Sequence, residues 1–243
     1  MHTKRLGNTD LEVAPVTLGG NVFGWTADEK TSFEILDHFT GAGFNLVDTA
    51  DVYSRWAPGN KGGESETVIG NWLKKTNKRD KIFISTKVGS DLGDGKKGLR
   101  KKYILEAVDS SLQRLQTDHI DLYQTHFDDV SVPVEETLQA YDEMVKAGKV
   151  RWIGTSNMTP ERILESIAAS KANNYPVYQT LQPHYNLVDR SGYEKNYEQL
   201  CLDYELGVIN YFALASGFLT GKYRTQADIS KHTRGDQVEK YLN

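Results

Sequence analysis

The chain has one cysteine, Cys201, in 243 residues. That excludes an internal disulfide, and a lone thiol suits a reducing compartment, so a cytoplasmic location is expected. Long apolar runs are missing too. The most apolar stretch, residues 209–219, is broken by Asn210 and Ser216. It falls short of the roughly 20 residues that cross a bilayer, so no membrane partner is expected. No apolar signal region opens the chain. Charge of one sign is also scarce. The net formal charge of −4 offers no basic footprint for nucleic acid. Metal-ligand spacings around His126 are absent, and no metal is expected.

What is present is a periodic array of short apolar runs. Residues 16–18, 44–47, 81–86, 120–125, 150–155, 177–181 and 207–210 read as buried strands. Their carboxyl ends fall at Gly19, Asp48, Lys87, His126, Ser156-Asn157, Gln182 and Tyr211, spaced 26 to 39 residues apart. Each interval holds one helix and two loops. The reading is α/β, a (β/α)8 TIM barrel forming a single domain over 1–243, since barrels of about 250 residues fold as one unit. Leu6, Leu11 and Val13 around Gly7-Asn8-Thr9-Asp10 predict an N-terminal β-hairpin that plugs the barrel bottom.

Helices are expected over about 29–41, 64–75, 102–115, from Pro133 to Gly148, after Thr159-Pro160, and over about 194–205. Beyond Tyr211 comes a small-residue loop or short helix over 212–223, then a polar stretch, and Gln237 to Asn243 could begin a helix. No eighth apolar run follows. The barrel as read lacks its eighth βα unit, so the working polypeptide is expected to continue past residue 243.

Taken singly, each strand-end residue has a structural reading. Asp48 caps a turn, Tyr53 packs, Lys87 is solvated, and His126 sits hydrogen-bonded on a rim. Convergence favours chemistry, because carboxyl ends of successive barrel strands meet on one face. A tyrosine hydroxyl, with a reference pKa of about 10, needs help to exchange protons near neutrality. An ammonium beside it favours the phenolate. Asp48 can pair with Lys87, and His126 can donate to a carbonyl. Such a set polarises and protonates a C=O group. Reduction then needs a hydride, which no side chain supplies, so a cofactor is implied.

These residues lie in Asn45-Leu46-Val47-Asp48-Thr49-Ala50-Asp51-Val52-Tyr53, Gly63-Glu64-Ser65-Glu66, Ser85-Thr86-Lys87, Asp121-Leu122-Tyr123-Gln124-Thr125-His126, residues 148–157 (GKVRWIGTSN), Gln182 with Tyr185-Asn186-Leu187, and residues 217–223 (GFLTGKY). Over essentially its whole length the chain resembles the aldo-keto reductases. The resemblance implies a catalytic tetrad of Asp48, Tyr53, Lys87 and His126, with Tyr53 the proton donor, reducing an aldehyde or ketone with NADPH. It implies that Ser156, Asn157 and Gln182 hold the nicotinamide carboxamide and that Tyr211 stacks on its ring. Phe212, Leu214, Ser216, Gly217 and Lys222 would belong to the loop that wraps the pyrophosphate.

The family often has Tyr-Ser-Pro-Leu where this chain has the bulkier Tyr211-Phe212-Ala213-Leu214. Its 2′-phosphate site lies mostly beyond residue 243, so NADPH over NADH (NADP as cofactor) rests on family habit. The basic run Lys96, Lys97, Arg100, Lys101, Lys102 reads as a solvated loop. Phe23, Trp25, Trp56 and Phe127 are expected to wall the substrate pocket. The partners expected are a small-molecule carbonyl substrate and, at most, further copies of the chain in a homo-oligomer. A second reading of the same resemblance is a regulatory cofactor-binding barrel, like channel-associated β subunits. The short lead before the hairpin disfavours a channel-inactivating arm in that reading.

Overall fold

The computed structural model describes residues 2–232 and 235–242. Strands β1 (Lys4–Arg5) and β2 (Glu12–Val13) pair antiparallel as the predicted hairpin. Seven parallel strands then run in chain order through one curled sheet. They are β3 (Thr17–Gly19), β4 (Leu46–Asp48), β5 (Phe83–Val88), β6 (Ile120–Thr125), β7 (Val150–Ser156), β8 (Thr180–Gln182) and β9 (Gly207–Val208). Among the described residues, β3 bonds only to β4 and β9 only to β8.

The helices lie outside the sheet. They are α1 (Glu29–Gly41), α2 (Glu64–Thr76), α3 (Lys101–Leu115), α4 (Val134–Lys146), α5 (Pro160–Asn173), α6 (Ser191–Asn196) and α7 (Glu198–Asp203). Their limits follow local chemistry. The Asp28 carboxylate accepts from Thr31 N at 2.8 Å to open α1, and Thr159 accepts from Arg162 N at 3.3 Å with Pro160 next to it to open α5. Gly70 lets α2 approach α3, since a Cβ there would strike the Arg114 carbonyl. Glu66, fully buried on α2, accepts from Arg114 Nε on α3 at 2.7 Å and from Thr86 Oγ1 at 2.6 Å.

The two faces of the sheet carry different chemistry because successive strand residues point to opposite sides. The outward set, including Val47, Ile84, Val88, Tyr123 and Ile153, packs with the helices in the main core. The inward set starts apolar at the bottom, where Leu6 and Leu11 of the hairpin pack with Leu46, Leu122 and Ile209. The hairpin therefore closes the floor, as its sequence predicted. Asn45 pins it from both sides, accepting from Ala14 N at 2.9 Å and donating to Glu12 O at 2.8 Å.

Three expectations are corrected. The helix over 194–205 is two short helices, broken at Tyr197 (φ −124°), whose hydroxyl donates to Met158 O at 3.1 Å. The last strand is Gly207–Val208, and past it the chain stays beside β8 through Ile209 N to Leu181 O at 3.1 Å and a bridge between His184 and Tyr211. The tail forms isolated 3₁₀ turns at Gly235–Gln237 and Glu239–Tyr241, and Asn243 lies outside the described residues. No helix among the described residues is long and apolar enough to cross a membrane.

Candidate active site

Above the apolar floor the inward positions turn polar. Ser85, Gln124 and Thr180 form a middle layer, joined by Gln124 Nε2 to Ser85 Oγ at 2.9 Å and Thr180 Oγ1 to Gln124 Oε1 at 3.4 Å. Gly154 makes room for it, because a Cβ there would collide with Thr180 Oγ1. From this layer Ser85 Oγ donates to Asp48 Oδ1 at 2.9 Å. Asp48 and Lys87 form the next layer up, each two residues beyond an inward neighbour on its strand.

The buried Lys87 ammonium spends all three donors. Nζ donates to Asp48 Oδ2 at 2.8 Å, Thr49 O at 2.6 Å and Tyr53 Oη at 2.9 Å. Burial works against its charge, but the Asp48 carboxylate, with Tyr53 behind it, wins and holds the ammonium above the usual lysine range. Tyr53 Oη accepts from Lys87, so its own proton is free to be donated elsewhere.

The net effect on Tyr53 differs from the sequence expectation. Burial pushes the phenol above its ordinary value of 10.0, the Lys87 charge pulls down against it, and Asp48 pushes up again. Removing water from the phenolate costs more than one ammonium, already shared with a carboxylate, returns. The tyrosine is a protonated acid with a counterweight beside it.

His126 stands next to it, ring edge-on to Tyr53 at 5.9 Å and stacked on Phe127 at 4.9 Å. Burial first, and Lys87 second, hold the imidazole well below its ordinary value of 6.5, so it is neutral at pH 7. Ser90 Oγ sits 2.9 Å from Nδ1, which leaves Nε2 for a ligand.

These groups face a cavity of about 970 Å³. Asp48, Tyr53, His126, Trp56 and Phe127 line one side of it. Ser156, Asn157, Gln182, Tyr211, Phe212, Leu214, Ser216, Gly217 and Lys222 line the other. Ser156 Oγ donates to Gln182 O at 2.8 Å, Asn157 Nδ2 to His126 O at 2.8 Å, and Tyr211 Oη to Asn157 Oδ1 at 3.1 Å. Past Tyr211 the backbone turns left-handed at Phe212, Ala215, Ser216 and Gly217. At Gly217 (φ +102°) a Cβ would stand only 3.1 Å from Lys222 Cε. A polar amide wall, a flat aromatic face and a tight small-residue turn beside a lysine fit a dinucleotide carrying a carboxamide ring and phosphates.

Two pocket expectations are corrected. Phe23 is fully buried with Leu36, Val47 and Ile69 in the main core, its carbonyl held by Ser54 Oγ at 2.6 Å. Its ring covers apolar surface there and does not line the cavity. Trp25 stands behind Trp56, edge-on at 5.7 Å, and does not line it either. Cavity residues that the sequence reading passed over include Thr17, Asn21, Val52, Ser90, Ile209 and Asn210. Strand alternation from Gly19 and Tyr211 points to Thr17 and Ile209. Ser90 has a weaker signal, its place on the loop that follows Lys87.

The family model for the aldo/keto reductase family matches residues 15–242. The chain belongs to the aldo/keto reductase family. Among its relatives is the uncharacterized oxidoreductase YrpG of Bacillus subtilis, 36% identical over 97% of this chain and 74% of that protein. Protein tas of Escherichia coli is 32% identical over 99% of this chain and 79% of that protein. Among solved structures, the aldo-keto reductase AKR11C1 from Bacillus halodurans in its holo form superposes with a TM-score of 0.72 at 33% identity, covering 86% of this chain and 65% of that one. The curled parallel sheet is thus the aldo/keto reductase (β/α)8 architecture, and this chain spans about two thirds of that neighbour.

Proposed function

We propose that the protein reduces an aldehyde or ketone to an alcohol, with NADPH as hydride donor and Tyr53 as proton donor. The observation that carries this is the saturated Lys87 ammonium. With its donors committed to Asp48, Thr49 and Tyr53, it leaves the Tyr53 proton as the mobile one at the cavity wall. When bound, the cofactor supplies the hydride. Neutral His126, with Ser90 on Nδ1, donates from Nε2 to the carbonyl oxygen and polarises it. Tyr53 gives its proton to the same oxygen as charge builds there, and Lys87 stabilises the phenolate that results. Ser156, Asn157 and Gln182 hold the carboxamide, Tyr211 supports the ring, and Lys222 with the turn at Ser216-Gly217 takes the phosphates. Trp56 and Phe127 offer apolar walls, which suit an aromatic or aliphatic carbonyl.

Tyr53→Phe tests the reading. Loss of the general acid should lower turnover of an aromatic aldehyde by at least about 10²- to 10⁴-fold. NADPH should still bind, as followed by fluorescence titration. Turnover near the wild-type rate in that variant rejects the assignment.

A partner-binding role is the second reading. A relative from Oryza sativa named as a probable voltage-gated potassium channel subunit beta is 34% identical over 92% of this chain. Failure to consume NADPH across a carbonyl panel, with a membrane protein co-purifying, would favour it.

A further inference from the structure

Tyr211 is the wall between two cavities. The larger is the site described above. The smaller, about 370 Å³, lies on the other side and is lined by Tyr211 together with His184, Asp189, Tyr193 and Tyr197. His184 faces only this second space. Its ring lies nearly parallel to that of Tyr211, with centroids 5.3 Å apart and an interplanar angle of 14°. We propose that His184 is a positioning residue for the cofactor, backing the Tyr211 ring so that its opposite face is presented flat to the nicotinamide. The proposal rests on the reductase reading above.

Three further contacts hold the pair. Tyr211 N donates to Pro183 O at 3.0 Å, which ties its backbone to the end of β8. Tyr211 Oη is held by Asn157 at 3.1 Å. His184 is fixed in turn, with Nε2 3.3 Å from Asp189 Oδ2. Buried Asn186 links these parts. Its amide donates to Asp189 Oδ2 at 3.1 Å and to Phe212 O at 3.1 Å, while its oxygen accepts from Val188 N and Asp189 N. The same side chain therefore steadies the carboxylate beside His184 and the left-handed residue after Tyr211 (φ 56°). Tyr211 is held at its hydroxyl, at its backbone and by the His184 ring, and it also lines the larger cavity. Removing the imidazole would let the ring tilt into the smaller cavity. A stacking surface that must first be ordered binds more weakly than one already in place.

The test compares His184→Ala, His184→Phe and His184→Gln by fluorescence titration with NADPH, without turnover. The Ala and Gln variants should bind about 3- to 10-fold more weakly, the worth of one aromatic pair, while Phe keeps the wild-type Kd. Wild-type affinity in the Ala variant overturns the proposal. So does Gln keeping the wild-type Kd while Phe loses it, because hydrogen bonding to Asp189 would then be the role, and so does Gln matching Phe, because an aromatic face would then not be what is needed. The His184 side chain is 34% exposed, so the fold should tolerate the changes. Should the Ala variant not fold, the comparison of Phe with Gln decides alone. If the wild-type protein binds no nicotinamide cofactor, the reductase reading fails. The role of His184 is then read from the ring resonances of Tyr211 by tyrosine-labelled NMR. They should change in the Gln variant and persist in the Phe variant, and identical spectra overturn it.

Discussion

At the scale of single residues, burial sets the direction at Tyr53 and His126, while the Asp48 carboxylate sets it at Lys87. Burial holds the Tyr53 phenol above 10.0 and the His126 imidazole well below 6.5. The proposed mechanism needs the phenol protonated and the imidazole neutral. Both conditions hold throughout the interval between those values, so the kcat/KM profile for reduction should be flat from about pH 6.5 to 10. Lys87→Met removes the one pull that favours the phenolate, and it strands the Asp48 carboxylate in the barrel. It should lower the rate across this whole range without bringing a new limb into it. A descending limb centred near pH 8 in the wild-type enzyme would show that Lys87 outweighs burial after all.

At the scale of elements, two-residue alternation does most of the placing. Leu46 and Asp48 share one face of β4, and Phe83, Ser85 and Lys87 share one face of β5. Going up the barrel, that face passes from the apolar floor through the Ser85–Gln124–Thr180 layer to the charged pair. Outside the sheet, α2 and α3 are locked by one buried pair. The Glu66 side chain has no exposure and that of Arg114 has 27%. Arg114→Met leaves the Glu66 carboxylate in the core without its cation and should cost about 3–5 kcal/mol in urea unfolding. Adding Glu66→Leu should recover much of that loss. If the double variant is no better than the single one, packing of the arginine stem and not its charge holds the two helices together.

At the scale of the whole molecule, Asp51 makes stability depend on pH. It follows the β4 end on the loop that carries Tyr53, and its N–H donates to Lys87 O at 3.2 Å. The carboxyl group is buried, and neither oxygen has a hydrogen-bond partner among the described residues. Burial, and then the nearby Glu66 charge, raise it well above its ordinary value of 3.8, with Arg114 pulling less strongly the other way. The folded protein thus keeps a proton that the unfolded chain releases. Stability from this group is complete below 3.8 and declines as pH rises toward the folded value. Asp51→Asn, a neutral shape match, should raise the melting temperature near pH 8 and change it little near pH 4. A variant that melts below wild type at pH 8 would show that the carboxylate is ionised and paired.

The order of the first six barrel strands, the starts of α1 to α5 and the plugging hairpin were legible in the sequence. Each depends on short-range signals: apolar runs, caps such as Thr159-Pro160, and one polar residue placed at the end of each run. Sheet topology then needed only the periodic spacing, because successive parallel strands lie side by side. The tertiary structure alone decided what no local pattern encodes. It sent Phe23 into the core and left Trp25 behind Trp56, since a loop aromatic goes wherever apolar surface awaits it. It stacked His184 on Tyr211 and set Ser90 against His126, contacts between residues 27 and 36 positions apart in the chain. It also reversed the expected shift of Tyr53. The sequence names the charges near a group, but the water excluded from around it is set only when the sheet and its loops pack around it.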